Sequence, residues 1–364
     1  MNKVSRSEYR PQGGEAEAFR PWVILVCGVD IVNSTGHKMR NPSGWYDKFS
    51  NFFIEFERTL RNKDKNDGDK VLDGWNLWRV VGDELIYYRA FSVDAINDDY
   101  SHLNAISGNV YTYIHEFSES VKNVAKSTNL NLRGYSFLLD EDKAQPDSEK
   151  GDAELKGSVI GDFRFNFVSR DYGHPLFDSD DDPYVLERNY NDFVMHKFKG
   201  NLDDIKSRFF INFIGRGVDQ GFRLAEYSSA NCFILSPKLV YCLCCASNDE
   251  LEILENIYFL GSHGLKGCGN EEMGISGFPI CFLMIETGIN EINSREHRYY
   301  ESMLDKEAEK RIEKIRTIVN SFIIEERSAY RELLNRISKA QVEETTPGND
   351  NSEASESSAE LLDP

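Results

Sequence analysis

No apolar run in this chain approaches the roughly 18 residues that a membrane-spanning helix needs, and no secretory leader is visible, so a soluble, cytoplasmic protein with no membrane partner is expected. A basic surface is missing as well. Lys and Arg number 42 against 61 Asp and Glu, a net charge of −19, which argues against nucleic acid or an anionic membrane as partner. A nucleotide substrate is still allowed, because metal ions and a few arginines neutralise a triphosphate locally. The seven cysteines show no paired Cys-x-x-Cys spacing, since the one such interval, Cys242 to Cys245, has no second to match it. Most sit in apolar strings such as Val-Tyr-Cys-Leu-Cys-Cys, which suits reduced thiols in a core. The seven histidines show neither H-E-x-x-H nor zinc-finger spacing, and Ser34 and Ser43 have no neighbouring His–Asp pattern. Histidine-bound zinc and hydrolase triads are therefore not expected, and no internal repeat is visible.

What is present is an alternation of apolar strands and amphipathic stretches. Residues 1–20 read as a loose arm. WVILVCGV at 22–29 reads as a buried strand, and WYDKFSNFFIEFERTL at 45–60 carries aromatics at helical spacing, a core or dimer contact. A Lys/Asp-rich loop at 61–74 leads into a strand–turn–strand around Gly82-Asp83. A long helix is expected over 94–126, then a strand at 130–139. Residues 140–190 are polar and acidic apart from an apolar patch at 163–168. FFINFIG at 209–215 leads into a helix over about 218–228; strands follow at 232–245 and 277–286, with a helix near 248–257 between them. One or two amphipathic helices fit 296–341. No basic residue follows Lys339, the composition of a disordered acidic tail over 342–364. The expected organisation is an α/β (α+β) domain over 21–290 with a mostly antiparallel central sheet, then a helical segment over 291–341.

Two acidic strings carry the chemistry: Val-Asp-Ile-Val-Asn-Ser-Thr at 29–35 and Arg-Val-Val-Gly-Asp-Glu-Leu at 79–85. Asp30 ends a hydrophobic strand, and the N–H groups of Asn33, Ser34 and Thr35 at a helix start suit phosphate oxygens. Asp83 follows Gly82, which permits a tight turn and close ligand approach. Two carboxylates that converge from such positions could share divalent cations for phosphoryl transfer. The alternative for each string alone is an ordinary helix cap and an ordinary hairpin turn.

These strings resemble the two metal motifs of the class III nucleotidyl cyclases. The resemblance implies two Mn²⁺ or Mg²⁺ ions held by Asp30, the Ile31 carbonyl and Asp83. Gly217-Val218-Asp219-Gln220-Gly221-Phe222-Arg223-Leu224 is similar to that family's Val-Asn-x-x-x-Arg helix, which assigns charge stabilisation to Arg223 and ribose binding to Asp219, where the family has Asn. Gly264-Leu265-Lys266-Gly267 is a weaker match to its Lys-Gly strand pair. The family reading implies a head-to-tail homodimer, in which one protomer supplies the metal carboxylates and the other Arg223, Asp219 and the base readers.

The base-reading positions are Arg79 and Asn212, which fit neither the adenine nor the guanine pattern of the family. Arg79 in this context looks like the pyrimidine cyclases of Pycsar anti-phage systems. That branch implies UTP or CTP as substrate, cyclic UMP or cyclic CMP as product, and a separate effector reached through the product. An Arg donor to uracil O4 with Asn212 accepting N3–H leans toward UTP; Arg79 as a strand residue paired with a surface acid is the alternative. Two other readings compete: a catalytically silent cyclase-fold module that senses nucleotide or binds a partner, and a diguanylate cyclase-like enzyme. Against the second, Val81 stands where its turn signature has Gly.

Overall fold

The computed structural model describes residues 22–64, 74–97, 100–141, 164–169, 209–246, 251–265, 277–285 and 308–345. The expected N-terminal arm, most of the Lys/Asp-rich loop, Lys266-Gly267, Cys268 and the tail beyond 345 lie outside these residues. The centre of the molecule is β1 (Trp22–Ile31), bordered by two antiparallel neighbours, β3 (Glu84–Ser92) and β4 (Leu132–Asp140). Outward from β3 lies the edge strand β2 (Asn76–Val81). Outward from β4 lie β7 (Cys232–Leu235), which runs parallel to it, then β9 (Phe278–Met284) and β8 (Ile257–His263), giving the order β2-β3-β1-β4-β7-β9-β8. The sheet is thus antiparallel at every junction except β4–β7, as expected. A second, two-stranded sheet pairs β5 (Arg164–Ser169) with β6 (Phe209–Ile214).

Residues 23–29 are buried without alternation, because both faces of the sheet are covered. On one face lie α2 (Trp45–Asp64) and α3 (Ser101–Thr128). Phe117 of α3 meets Phe56 at 5.2 Å, Tyr87 at 6.1 Å and Phe233 at 6.0 Å. Phe49, Phe52 and Phe56 are buried, so the aromatic run of α2 is core. On the other face lie β6 and α4 (Arg216–Ala225), through Phe213 against Tyr88 at 5.1 Å and Phe222 against Phe137 at 5.6 Å. Gly221 is pressed onto Phe137 so closely that a Cβ would lie 2.5 Å from its ring. Cys27, Cys232, Cys242 and Cys281 are buried free thiols, as the apolar strings suggested.

Four elements differ from the sequence reading. The strand expected over 232–245 stops at Leu235. Ser236 accepts the Leu239 N–H, Pro237 occupies the first turn, and the apolar run becomes α5 (Pro237–Cys244), a largely buried helix that periodicity cannot tell from a strand. The helix expected near 248–257 shrinks to α6 (Leu251–Glu255), and Ile-Tyr-Phe-Leu continues as β8. Helix α3 begins at Ser101, not 94. The Asn97 N–H is taken by His102 Nδ1 at 3.1 Å and its amide donates to Ser101 Oγ at 2.9 Å, closing a turn before the helix. The helical pattern of α2 extends to Asp64, into the expected loop. A short helix α1 (Ser34–Arg40) follows β1, and α7 (Ala308–Thr345) is one helix of 38 residues.

Candidate active site

Asp30 sits near the end of β1, and Asp83 in the turn between β2 and β3, where Gly82 adopts φ +66°, open to glycine at no steric cost. The antiparallel register sets Gly28 opposite both Ile86 and Tyr135, and Asp30 opposite Arg133. The side chains of Asp30, Arg133 and Tyr135 therefore share the face on which α4 lies. There the two carboxylates meet. Burial, with the adjacent Asp83 carboxylate also acting against the two bonds from Arg133, pushes the Asp30 carboxyl above its usual 3.8. Both groups are mostly shielded, with 16% and 17% of their side-chain surface exposed.

Protein cations stand against this pair. Arg133 donates from Nε at 2.8 Å and Nη2 at 2.6 Å to one oxygen, Oδ2, of Asp30. Lys38 of α1 places its ammonium 3.8 Å from Asp83, and the same nitrogen lies over the rings of Trp45 and Phe49 at 5.4 and 5.3 Å. A third acid adjoins them. Glu84 accepts a 2.6 Å hydrogen bond from the Tyr135 hydroxyl, and its carboxyl is raised by burial and by Asp30 and Asp83. Tyr135 can lie there only because Gly28 has no side chain: a Cβ would fall 2.2 Å from the ring.

The donor set suits a hard divalent cation. Among the described residues no group of three or more His, Cys, Asp and Glu is arranged to hold a metal, so the set is the Asp30–Asp83 pair. Mg²⁺-type sites commonly use one or two carboxylates and complete their shell with water and substrate phosphates. The Ile31 carbonyl, the main-chain candidate, stands at the last β1–β4 register position, next to Asp30. Asn33 stands at φ 56° before α1 and does not cap it with its side chain; Ser34 and Thr35 form its first turn.

The remaining candidates lie farther along the same face. Asp219 and Arg223, one turn apart, share the exposed side of α4, while Val218, Gln220, Gly221 and Leu224 are buried. Arg223 is 48% exposed and pairs with Glu226 at 3.1 Å. Among the described residues, neither Asp219 nor Arg223 makes a hydrogen bond or ion pair with Asp30 or Asp83. Arg79 stacks on Trp78 at 4.8 Å, and Trp78 lies 4.7 Å from Phe213, the residue after Asn212. Asn212 itself sits on β6 opposite Asn166. The neighbours of Arg79 and Asn212 are thus packed together beside Phe222 of α4, 5.9 Å from Trp78.

Sequence reasoning missed Arg133, Lys38, Glu84 and Tyr135. Arg133 was the most findable of the four, as the charged residue of the expected strand at 130–139; Lys38, one turn after Ser34, follows the expected phosphate loop.

No family model and no curated protein matches the chain. Among solved structures it is similar to the guanylate cyclase domain of RhGC from Catenaria anguillulae in complex with GTP, at 10% identity and a TM-score of 0.36, covering 72% of this chain and 95% of that one. It is similar also to the adenylyl cyclase CyaB from P. aeruginosa, at 12% identity and a TM-score of 0.32, covering 73% of this chain and 95% of that one.

Proposed function

We propose that the chain is a nucleotide cyclase that converts UTP or CTP to the 3′,5′-cyclic monophosphate and pyrophosphate. Its product would serve as a second messenger in anti-phage defence, acting on a separate effector. The observation that carries the reading is the meeting of Asp30 and Asp83, from motifs 53 positions apart, at one end of the sheet. Divalent cations held by Asp30, Asp83 and the Ile31 carbonyl would neutralise phosphate charge and acidify the ribose 3′-hydroxyl. Asp30 must be deprotonated to take part, and Arg133 must share or release Oδ2. The N–H groups of Asn33, Ser34 and Thr35, at the start of α1, would donate to phosphate oxygens.

The 3′-oxygen attacks the α-phosphorus in line, the 3′ proton passes to solvent, and pyrophosphate leaves. Arg223 and Asp219 do not engage Asp30 or Asp83 of their own chain, and they face outward. This supports a composite site, with Arg223 of the partner subunit stabilising charge on the reacting phosphate and Asp219 of the partner subunit orienting the ribose. Arg79 and Asn212 are the base readers in this scheme.

The two bonds from Arg133 to Asp30 favour a second reading, a silent module in which Arg133 stands where a cation would bind. One assay separates the two. The purified chain is incubated with Mn²⁺ and ATP, GTP, CTP or UTP in turn, and products are identified by mass. A cyclic pyrimidine monophosphate is expected. Cyclic AMP or cyclic GMP would keep the cyclase and overturn the base reading. No product from a folded, dimeric chain would leave the silent module.

A further inference from the structure

Helix α7 contributes nothing to the chemistry above, yet it reaches the helix that does. It docks on the domain through Ile315, Val319, Phe322 and Ile323, all buried, with Phe322 4.9 Å from Phe278 of β9. One turn beyond Phe322, it presents Glu326 to α4. The Oε1 atom of Glu326 accepts hydrogen bonds from Arg216 Nη1 at 2.6 Å and from Gln220 Nε2 at 2.9 Å. Arg327 fixes the approach, stacking on Tyr100 at 4.7 Å and donating to the Asn97 carbonyl at 3.4 Å.

Helix α4 needs such a contact. It has ten residues, too few to be stable alone, and Gly215 gives it no side-chain cap. Arg216 in its first turn puts a cation at the positive end of the helix dipole, where an anion is favoured. The Glu326 carboxylate pairs with that cation, adding to the anion that Asp219 already brings to the first turn, and satisfies the buried Gln220 amide. Arg216 and Gln220 form one stripe of the helix; Asp219 and Arg223 form the stripe beside it. With Gly221 wedged on Phe137 from below, the Glu326 bonds fix how α4 is rotated about its axis, and so where Arg223 points.

Resting on the cyclase reading, we infer that Glu326 is a positioning residue: through Arg216 and Gln220 it orients the face of α4 that carries Asp219 and Arg223. It touches no substrate itself. The C-terminal helix thereby becomes part of the site's second layer of support, and turnover depends on its docking.

The test uses the full chain, with E326A, E326Q and the double variant E326A/Q220L. Initial rates with Mn²⁺ and the pyrimidine triphosphate are read together with amide hydrogen exchange over 216–225. In E326A, kcat should fall about tenfold while KM moves less than about threefold. Exchange over 216–225 should quicken about tenfold while α3 is unchanged. E326Q keeps an acceptor oxygen and should recover most of kcat; it also stands in should E326A fail to fold. The double variant should be no worse than E326A. Normal kcat in E326A, or unchanged exchange in α4, overturns the positioning role. A wild-type chain that makes no product is a different failure. It sinks the cyclase reading, and the positioning role falls with it.

Discussion

The two ends of β4 treat acids in opposite ways. At its C-terminal end Asp140 is 2% exposed, with His102 Nε2 3.2 Å from Oδ1 and Lys238 donating at 3.0 Å to Oδ2. Burial alone would raise its carboxyl, but Lys238 and His102 outweigh burial and hold it well below the usual 3.8. At the N-terminal end Arg133 faces a cluster of three acids, Asp30, Asp83 and Glu84, and the carboxyls of Asp30 and Glu84 are raised instead. One acid with two donors is a finished structural joint. Three acids in a half-shielded corner hold more negative charge than the fold neutralises, the condition under which a cation is drawn in.

Exchanging the effects of the two ends would break this contrast most directly. D83A should lower turnover by at least about a thousandfold, the scale of losing a group that holds charge at the reacting phosphate. Its urea midpoint should stay at or above the wild-type value, because a like charge has gone. D140A should do the reverse, destabilising the fold by about 3–5 kcal/mol by removing the buried carboxylate on which Lys238 and His102 converge. Retained activity in D83A would remove the metal role of that residue. A stable D140A would show that the joint is not structural.

The opposite pKa shifts predict opposite pH limbs. The Asp140 carboxyl is depressed, so its stabilisation is complete above the ordinary 3.8 and is lost as pH falls below it toward the folded-state value. Those of Asp30 and Glu84 are raised, so between 3.8 or 4.5 and the higher folded-state values the native chain binds more protons than the unfolded one. Stability from these two groups therefore falls as pH rises through that window. Thermal unfolding without divalent cations should show both limbs; D140N should remove the acidic one, and D83N should shrink the other. Mn²⁺ should restore what rising pH removes, by about 2.7 kcal/mol at a hundredfold excess over Kd. A melting temperature indifferent to Mn²⁺ at neutral pH would deny the corner any affinity for the ion.

How far this was legible in the sequence depended on range. WVILVCGV and the Gly82 hairpin declare themselves locally, and strand-end acids beside apolar runs could be singled out before any fold was known. Asp30 and Arg133 are 103 positions apart, however, and only sheet register pairs them. Within LNLRGYSFLL the arginine reads as routine alternation. The same holds for Tyr135 and Glu84, and for Glu326, one acid among many on an amphipathic helix. Helix α5 was misread for the opposite reason: an unbroken apolar run fits a buried helix as well as a buried strand, and only the Ser236-Pro237 start distinguishes them.

Arg133 sharpens the contrast further, since it and Lys38 are the cations that the cluster already has. Removing Arg133 with R133M should lower the stability of the metal-free chain by about 1–3 kcal/mol, the loss of charge-assisted bonds to a shielded carboxylate. The same change takes a positive charge away from the metal position, so Mn²⁺ should bind several-fold more tightly, which calorimetry can read. The two shifts must have opposite signs. Weaker Mn²⁺ binding in R133M would mean that Arg133 shapes the site rather than competing for it.

The smallest effect tests the contrast at the level of one hydroxyl. Tyr135 is held by its ring, which lies over Gly28, parallel to Phe137 at 6.1 Å and edge-on to Phe222 at 6.2 Å. Y135F keeps that packing and deletes only the donor to Glu84. Because Glu84 is partly exposed, water can replace the lost bond, and the cost should be about 1 kcal/mol. The Glu84 carboxyl should rise further, since the lost bond favoured its charged form. At the other end of β4, H102L also removes one partner, but from a carboxylate that water does not reach. Its cost should be about 2–3 kcal/mol, as for a buried charged acceptor left short of a partner. Equal costs for Y135F and H102L would mean that Glu84 is as tightly satisfied as Asp140, and the acid corner would then be a second structural joint rather than a place prepared for a cation.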